Sequence, residues 1–249
     1  MKTEWDYTNL ADAYLKRPDY SQEAIDQMIS IAGVVAGDKV CDVGAGVAHL
    51  TLMLAAKGLD VTAVEPNDAM RANGIKRTDN LDNVKWFEGV GEHTGQPDSA
   101  FKLVTFGSSF NVCNRQEALE ESQRILVDNG WFACMWNHRD LEDPIQKEIE
   151  SIIKKHIPDY DYGTRREDQT GVINESGRFG EVKTLSGMVE FSEPIEDVVE
   201  AWRSHGTLER QAGDSFTQIV DEIEQYLSSL NVAKIEIPYV TRIWMAQAK

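Results

Sequence analysis

Long apolar runs are missing from this chain, and no stretch approaches the ~18–20 residues that a membrane span takes. The opening MKTEWDYTNL lacks the basic-then-apolar pattern of a secretory signal, so a cytoplasmic location without membrane attachment is expected. Cysteine is scarce. Cys41, Cys113 and Cys134 are odd in number, lack metal-ligand spacing and fall in strand-like or strand-end stretches, which reads as buried reduced thiols and no metal site. Positive charge is short as well: 25 Lys and Arg against 42 Asp and Glu leave a formal charge of −17. A surface that acidic repels phosphate backbones and anionic head groups, which argues against nucleic acid or a membrane as partner. Internal repeats, heptads and low-complexity tracts are absent. So are a Ser/His/Asp set, a phosphate loop and a His/Cys cluster, leaving no support for hydrolysis, phosphoryl transfer or metal chemistry.

What remains is 249 residues of ordinary globular composition, enough for one elaborated α/β domain. Two textures alternate in its first half. Short β-rich runs fall at 39–43, 61–64, 84–87, 103–106 and 131–136. Helix-length amphipathic stretches lie between them, such as 49–57 with Leu50, Met53 and Leu54 on one face and 116–126 with Leu119, Ile125 and Leu126. That rhythm predicts a parallel sheet with crossover helices on both faces. Gly58 and Gly130, each just before a strand, are placed as helix-ending glycines. Beyond Trp136 the rhythm changes. Pro144 opens a helix whose stripe is Ile145, Ile149, Ile152, Ile153 and Ile157. A polar loop follows over 159–177, and two further strands over 182–191 and 233–246 flank helical stripes. The expected architecture is a doubly wound, mostly parallel seven-stranded sheet in a single domain. It has an N-terminal helical segment over 1–36, a ligand-binding half over 37–137, and a substrate-side half over 138–249. A helical cap is inserted in that last part at about 158–178 and 193–232.

The sharpest signal is the run Val40 to Thr51, VCDVGAGVAHLT. A strand enters a turn in which Gly44 and Gly46 allow close backbone approach, and a helix follows at once with its positive end on the turn. Nineteen residues after Gly46 the next strand ends in Glu65-Pro66, where an acid can accept hydrogen bonds from both hydroxyls of a ribose. A nicotinamide dinucleotide is the competing ligand. It calls for G-x-G-x-x-G, but His49 stands at the third glycine position, and Asp42 would sit badly beside a pyrophosphate. Asp42 suits a cationic, phosphate-free ligand such as S-adenosylmethionine.

These residues resemble the class I S-adenosylmethionine-dependent methyltransferases. VCDVGAGVAHLT is similar to their first motif, VTAVEPNDAM to the second, and the stretch FEGVGEHTG to GWFACMWN to their third-to-fifth-strand layout. The fit is closest to the broad type 11 small-molecule group, which includes trans-aconitate methyltransferase-like proteins; Tyr14 to Tyr20, YLKRPDY, resembles that group's N-terminal segment. The resemblance covers about residues 7–137. It implies S-adenosylmethionine as cofactor, with Asp42, Gly44, Ala45 and Gly46 along its methionine part, and Glu65 on the ribose beside Pro66 and Asn67. Met70 would pack on the adenine, with Gly91, Glu92 and His93 at its edge. Phe106, Gly107 and Ser108 would meet the methionine carboxylate and amine, and Tyr14 and Arg17 would close over the cofactor. Two departures stand out: the third small residue of the first motif is Ala48 rather than glycine, and Val90 stands where many relatives have an acid that hydrogen-bonds the adenine amine.

Methyl transfer from a sulfonium is an in-line displacement, so the protein has mainly to align the reactants and exclude water. A base is needed only for a protonated nucleophile. His138, just after the fifth strand, is the candidate base or substrate contact, equally well read as a loop histidine. Tyr20 is the candidate for orienting an acceptor, and Asn111, Arg165 and Arg166 are candidate substrate contacts, the arginines for a carboxylate. The expected partner is a small-molecule acceptor methylated on O or N. Net acidity suits a neutral or cationic acceptor, whereas the resemblance points to a carboxylate. Two other readings are an NAD(P)-dependent oxidoreductase and a non-catalytic S-adenosylmethionine-binding protein.

Overall fold

Alternate residues along the central strands go to opposite sides of one sheet. In the strand β1 (Lys39–Val43), Cys41 and Val43 join one apolar cluster and Val40 the other. In β4 (Phe101–Gly107), Val104 and Phe106 face the first cluster and Leu103 the second; in β5 (Leu126–Arg139), Phe132, Cys134 and Trp136 oppose Ala133 and Met135. Strands buried on both faces need helices on both faces, which makes them near-continuous apolar runs. The computed structural model describes residues 8, 11–203 and 205–249, apart from the side chains of Ala13 and Arg165.

With β2 (Asp60–Val64), β3 (Val84–Phe87), β6 (Lys183–Pro194) and β7 (Lys234–Gln247), the strands form one seven-stranded sheet in the order β3-β2-β1-β4-β5-β7-β6. The pairs β1 with β2, β1 with β4, β2 with β3 and β4 with β5 are all parallel. This is the mostly parallel α/β sheet that the alternating texture predicted. The order reverses direction at β1, which makes the carboxyl ends of β1 and β4 the topological switch point of the sheet.

By contact the described chain divides into two compact units. The first comprises Met1–Asn137, Asp168–Gly187 and Thr241–Lys249, and the second His138–Glu167 and Met188–Val240. In the first lie α1 (Ala11–Tyr14), α2 (Gln22–Ala32), α3 (His49–Ala56), α4 (Asp68–Arg77), α5 (Arg115–Ile125) and α7 (Thr170–Glu175). In the second are α6 (Pro144–His156), α8 (Ile195–Arg203), α9 (Gly206–Ala212) and α10 (Phe216–Ser229). Asp143 caps α6 ahead of Pro144, and its stripe Ile149 and Ile153 packs with Val198, Val199 and Trp202 of α8 and Ile219, Ile223 and Leu227 of α10.

Two local expectations are corrected. Gly130 does not end a helix: α5 stops at Ile125, Leu126 already pairs with Phe101, and the left-handed residue before Gly130 is Asn129 at φ +61°. The strand pairing begins earlier than the amphipathic pattern suggested, and Leu126 is buried in the core beside Phe101. The stretch 159–177 is also less loop-like than its composition implies. It holds a 3-10 turn at Thr164–Arg166 and the helix α7, whose Ile173 is fully buried in the first unit's core.

Candidate functional site

The turn after β1 is built on two glycines with different duties. Gly44 has φ +68°, and a Cβ there would sit 2.3 Å from Ser109 Cβ, so only glycine lets the loop after β4 press onto this turn. Ser109 secures that approach by donating its hydroxyl to the Val43 carbonyl at 2.6 Å. Gly46, at φ +56°, has nothing within 4 Å of where a Cβ would stand; this side of the turn is open. The α3 helix then starts from Ala48 with no side-chain cap, leaving its first N–H groups without a side-chain acceptor. Ala48 itself is left-handed at φ +76°, the conformation for which the expected glycine is suited.

Two carboxylates brace the turn. Glu65, at the end of β2, accepts from Gly46 N–H on Oε2 and from Asn67 N–H on Oε1, both at 2.8 Å. Burial raises its pKa above the ordinary range, and those two N–H groups and Arg71 work against that rise. Each oxygen keeps a further lone pair for another donor. Asp42 is enclosed in the sheet with no exposed surface. Thr51 donates to its Oδ2 at 2.7 Å and Thr105 to Oδ1 at 3.1 Å. Burial pushes its pKa up to about 6 despite these hydroxyls, with the charge of Glu65 adding to the rise.

Around this frame the other singled-out residues of the first unit fall as follows. Asn67 caps α4 through Met70 N–H at 3.0 Å, beside the part-buried Pro66. Met70 is buried with Val47 and Ala11, and Tyr14 packs on the same cluster. Arg17 stacks its guanidinium 3.6 Å from the centre of the Tyr14 ring. Ala45 is buried and donates its N–H to Val64. Gly91 lies where a Cβ would strike Cys113 Sγ at 2.5 Å, Glu92 accepts from Asn114 N–H, and His93 bridges to Val90. Phe106 is fully buried against Phe110 and Phe132, so only its backbone faces the strand end. Gly107 and the exposed Ser108, at φ +59°, follow it.

Tyr20 comes to the same place from the N-terminal segment. Its hydroxyl is 2.9 Å from Ser108 Oγ and 3.0 Å from where a Cβ of Gly107 would be. Burial holds the phenol protonated far above its ordinary range, so Tyr20 serves as a hydrogen-bonding group and not as a base. Asn111 accepts from the indole N–H of Trp136 at 2.9 Å, which occupies its carbonyl. His138 and Arg166 belong to the second unit. His138 is buried at the end of β5; Arg166 donates to the Arg139 carbonyl at 2.9 Å and lies over Tyr162; the Arg165 side chain lies outside the described residues.

Several contributors escaped the sequence reading. His49, weighed there only as bulk, reaches Asp19 Oδ1 at 2.6 Å through Nδ1 and the Tyr14 carbonyl at 2.8 Å through Nε2. It thereby ties the segment bearing Tyr14, Arg17 and Tyr20 to the start of α3, and its hydrogen bond holds the Asp19 carboxyl below the usual range. Asn137 donates to the Pro18 and Asp19 carbonyls and accepts from Thr241, which in turn accepts from Ser21 N–H. Gly74 lets Trp86 and the Gly46 carbonyl approach α4. None has a local signature, because each joins residues far apart in the chain. Among the described residues there is no group of acids, cysteines and histidines able to hold a metal, and no helix is long and apolar enough to cross a membrane.

Comparison with known proteins falls on the same elements. Residues 41–134 match the family model Methyltransf_11, a methyltransferase domain. An uncharacterized methyltransferase of Mycobacterium tuberculosis is 30% identical over 141 residues, which are 55% of this chain and 54% of that protein. The chain spans about half the length of the curated relatives it matches. The crystal structure of YcgJ from Bacillus subtilis superposes with a TM-score of 0.57 at 17% identity, covering 91% of this chain and 98% of that one. Phosphoethanolamine N-methyltransferase 2 of Haemonchus contortus, solved in complex with S-adenosyl-L-methionine, gives 0.53 at 13% identity, over 91% of this chain and 52% of that one. The matched segment begins in β1, runs through the glycine turn and both acids and ends in β5, and over it this chain is similar to methyltransferase domains.

Proposed function

We propose that this chain transfers a methyl group from S-adenosylmethionine to an oxygen or nitrogen atom of a small molecule. The observation that carries the reading is the Glu65 carboxylate seated on the N–H groups of Gly46 and Asn67, beside a turn whose Gly46 side is open. A carboxylate held that way is pre-oriented to accept from two vicinal hydroxyls without reorganising. When bound, S-adenosylmethionine supplies an already activated methyl group. The chain's own part is holding and alignment. Gly44, Ala45 and Gly46 present backbone to the methionine part. Asp42 supports them from beneath through Thr51 and Thr105, a positioning role that replaces direct contact. Glu65, Pro66, Asn67 and Met70 serve the adenosine, with Gly91, Glu92 and His93 at its edge. Phe106, Gly107 and Ser108 serve the methionine carboxylate and amine, and Tyr14 and Arg17 shield the site from water.

Tyr20, kept as a neutral phenol, orients the acceptor by hydrogen bonding, and Asn111 contributes its amide N–H₂. To the helical second unit we assign the role of a cap that recognises the acceptor. There His138 accepts a proton when the nucleophile arrives protonated, and Arg165 and Arg166 contact the acceptor. A thermal-shift titration with S-adenosylmethionine, S-adenosylhomocysteine and NADP tests the reading. At a hundred times its dissociation constant either adenosyl compound adds about 2.7 kcal/mol, several degrees for a chain of this size. Stabilisation by NADP alone, or by none of the three, overturns it.

A further inference from the structure

In the second unit the cations Lys147, Lys154, Lys155 and Arg203 pair with Glu142, Glu150, Glu222 and Glu224. In a chain of net charge −17 that is the default fate of a positive group. Arg139 departs from it. Part-buried at the end of β5, its guanidinium donates from Nε to the Tyr239 hydroxyl at 3.2 Å and lies 4.6 Å from the centre of the Trp202 ring. Among the described residues no carboxylate lies within ion-pair distance of it, and none of those residues makes a hydrogen bond with its two Nη groups.

Trp202 adds a second observation. Only 3% of it is exposed, and its indole N–H is buried with no acceptor among the described residues. Its ring is held by His205, stacked at 4.9 Å with an interplanar angle of 27°, while His205 Nδ1 accepts from Leu208 N–H and so caps α9. The same unit buries another orphan of the same kind, the Nε2 of Gln146. These groups have one chemistry in common. The Arg139 Nη groups, the Trp202 N–H and the Gln146 amide N–H₂ are all donors, and a buried donor left without an acceptor is costly. What would complete Arg139 and Trp202 is an acceptor-only group.

We propose that the second unit binds a small carboxylate-bearing ligand at Arg139 and Trp202. One guanidinium and neutral donors balance a single negative charge; a phosphate dianion would bring twice the charge into a strongly acidic molecule. Planar fork-to-carboxylate pairing also leaves the guanidinium face on Trp202. The inference concerns binding, goes beyond the proposed methyl transfer and does not require it.

The experiment is a titration of the full chain, labelled with nitrogen-15 in tryptophan and without any adenosyl compound, following the indole N–H resonance assigned through Trp202→Phe. The probes are the monocarboxylates propionate and benzoate, with inorganic phosphate and ethanolamine alongside. Propionate or benzoate is expected to move the Trp202 resonance saturably. Arg139→Gln is expected to raise the apparent Kd roughly tenfold or more, the loss of a charge-assisted hydrogen-bond pair. Arg139→Lys keeps the charge and the stacking stem but loses the fork, so it weakens binding severalfold and carries the test if the glutamine variant does not fold. A Trp202 resonance that no carboxylate moves, a shift unchanged in both Arg139 variants, or a response to phosphate alone overturns the proposal.

Discussion

Asp42 and Glu65 stand at the carboxyl ends of adjacent parallel strands, differ by one methylene and meet opposite surroundings. Asp42 is sealed inside the sheet among the hydroxyls of Thr51 and Thr105 and the Thr51 N–H, while Glu65 sits at the rim and sees two backbone N–H groups. A hydroxyl can turn to donate or accept, so it tolerates either protonation state of its partner. A backbone N–H only donates and therefore favours the carboxylate. The first arrangement makes a structural strut whose charge is costly; the second, though burial raises its pKa too, makes an acceptor aimed by its two N–H partners. Acid residues that look equivalent in the motif thus meet different surroundings, set by the depth of burial and by the local donors.

The largest effect that would break this comparison is on stability. With a pKa of about 6 in the folded chain against an ordinary 3.8, Asp42 keeps its proton where the unfolded chain has lost it. Its contribution therefore falls as pH rises from about 4 to about 6, leaving a cost on the order of 3 kcal/mol at neutral pH. The nearby charge that bears on it is Glu65. Urea denaturation of the Asp42→Asn variant should gain on the parent by up to about 3 kcal/mol between about pH 4 and pH 7, then stay level. A gap independent of pH would mean that Asp42 is not charged at a cost. Glu65→Gln keeps the volume but turns an N–H₂ toward one of two N–H groups. Calorimetry should show S-adenosylhomocysteine binding weakened roughly tenfold to a hundredfold; unchanged affinity would make Glu65 a strut like Asp42. The smallest effect sharpens the turn between them. Ala48→Gly removes a Cβ from a left-handed residue, relief partly offset by the entropy of glycine. Its thermal unfolding should show a gain of about 0.5–1 kcal/mol, and a loss would show that the buried methyl outweighs the strain.

Much of this was legible beforehand for a physical reason: it is local. The β1 strand, the Gly44–Gly46 turn, α3 and the strand-end Glu65 are short-range patterns of burial and backbone freedom, and they appear at the expected positions. The helix stripe opened by Pro144 likewise lies on the buried face of α6. Where local signals competed, they misled. Gly130 looked like a helix end because glycine commonly ends helices, but pairing with β4 had already claimed Leu126. Polar composition over 159–177 hid α7, which one buried isoleucine anchors.

The sequence by itself determined the alternation that forces a two-faced parallel sheet, the turn that only glycines can make, and the acidity of the whole, since periodicity, backbone sterics and net charge are properties of the chain read in order. Tertiary structure alone decided that Asp42 is buried and Glu65 presented, that His49 and Asn137 fasten the segment carrying Tyr20, and that Arg139 stands beside Trp202 with no acid among the described residues to neutralise it. Those outcomes depend on which distant residues arrive at the same point, and burial and hydrogen-bond partners are settled only when the sheet has brought them there.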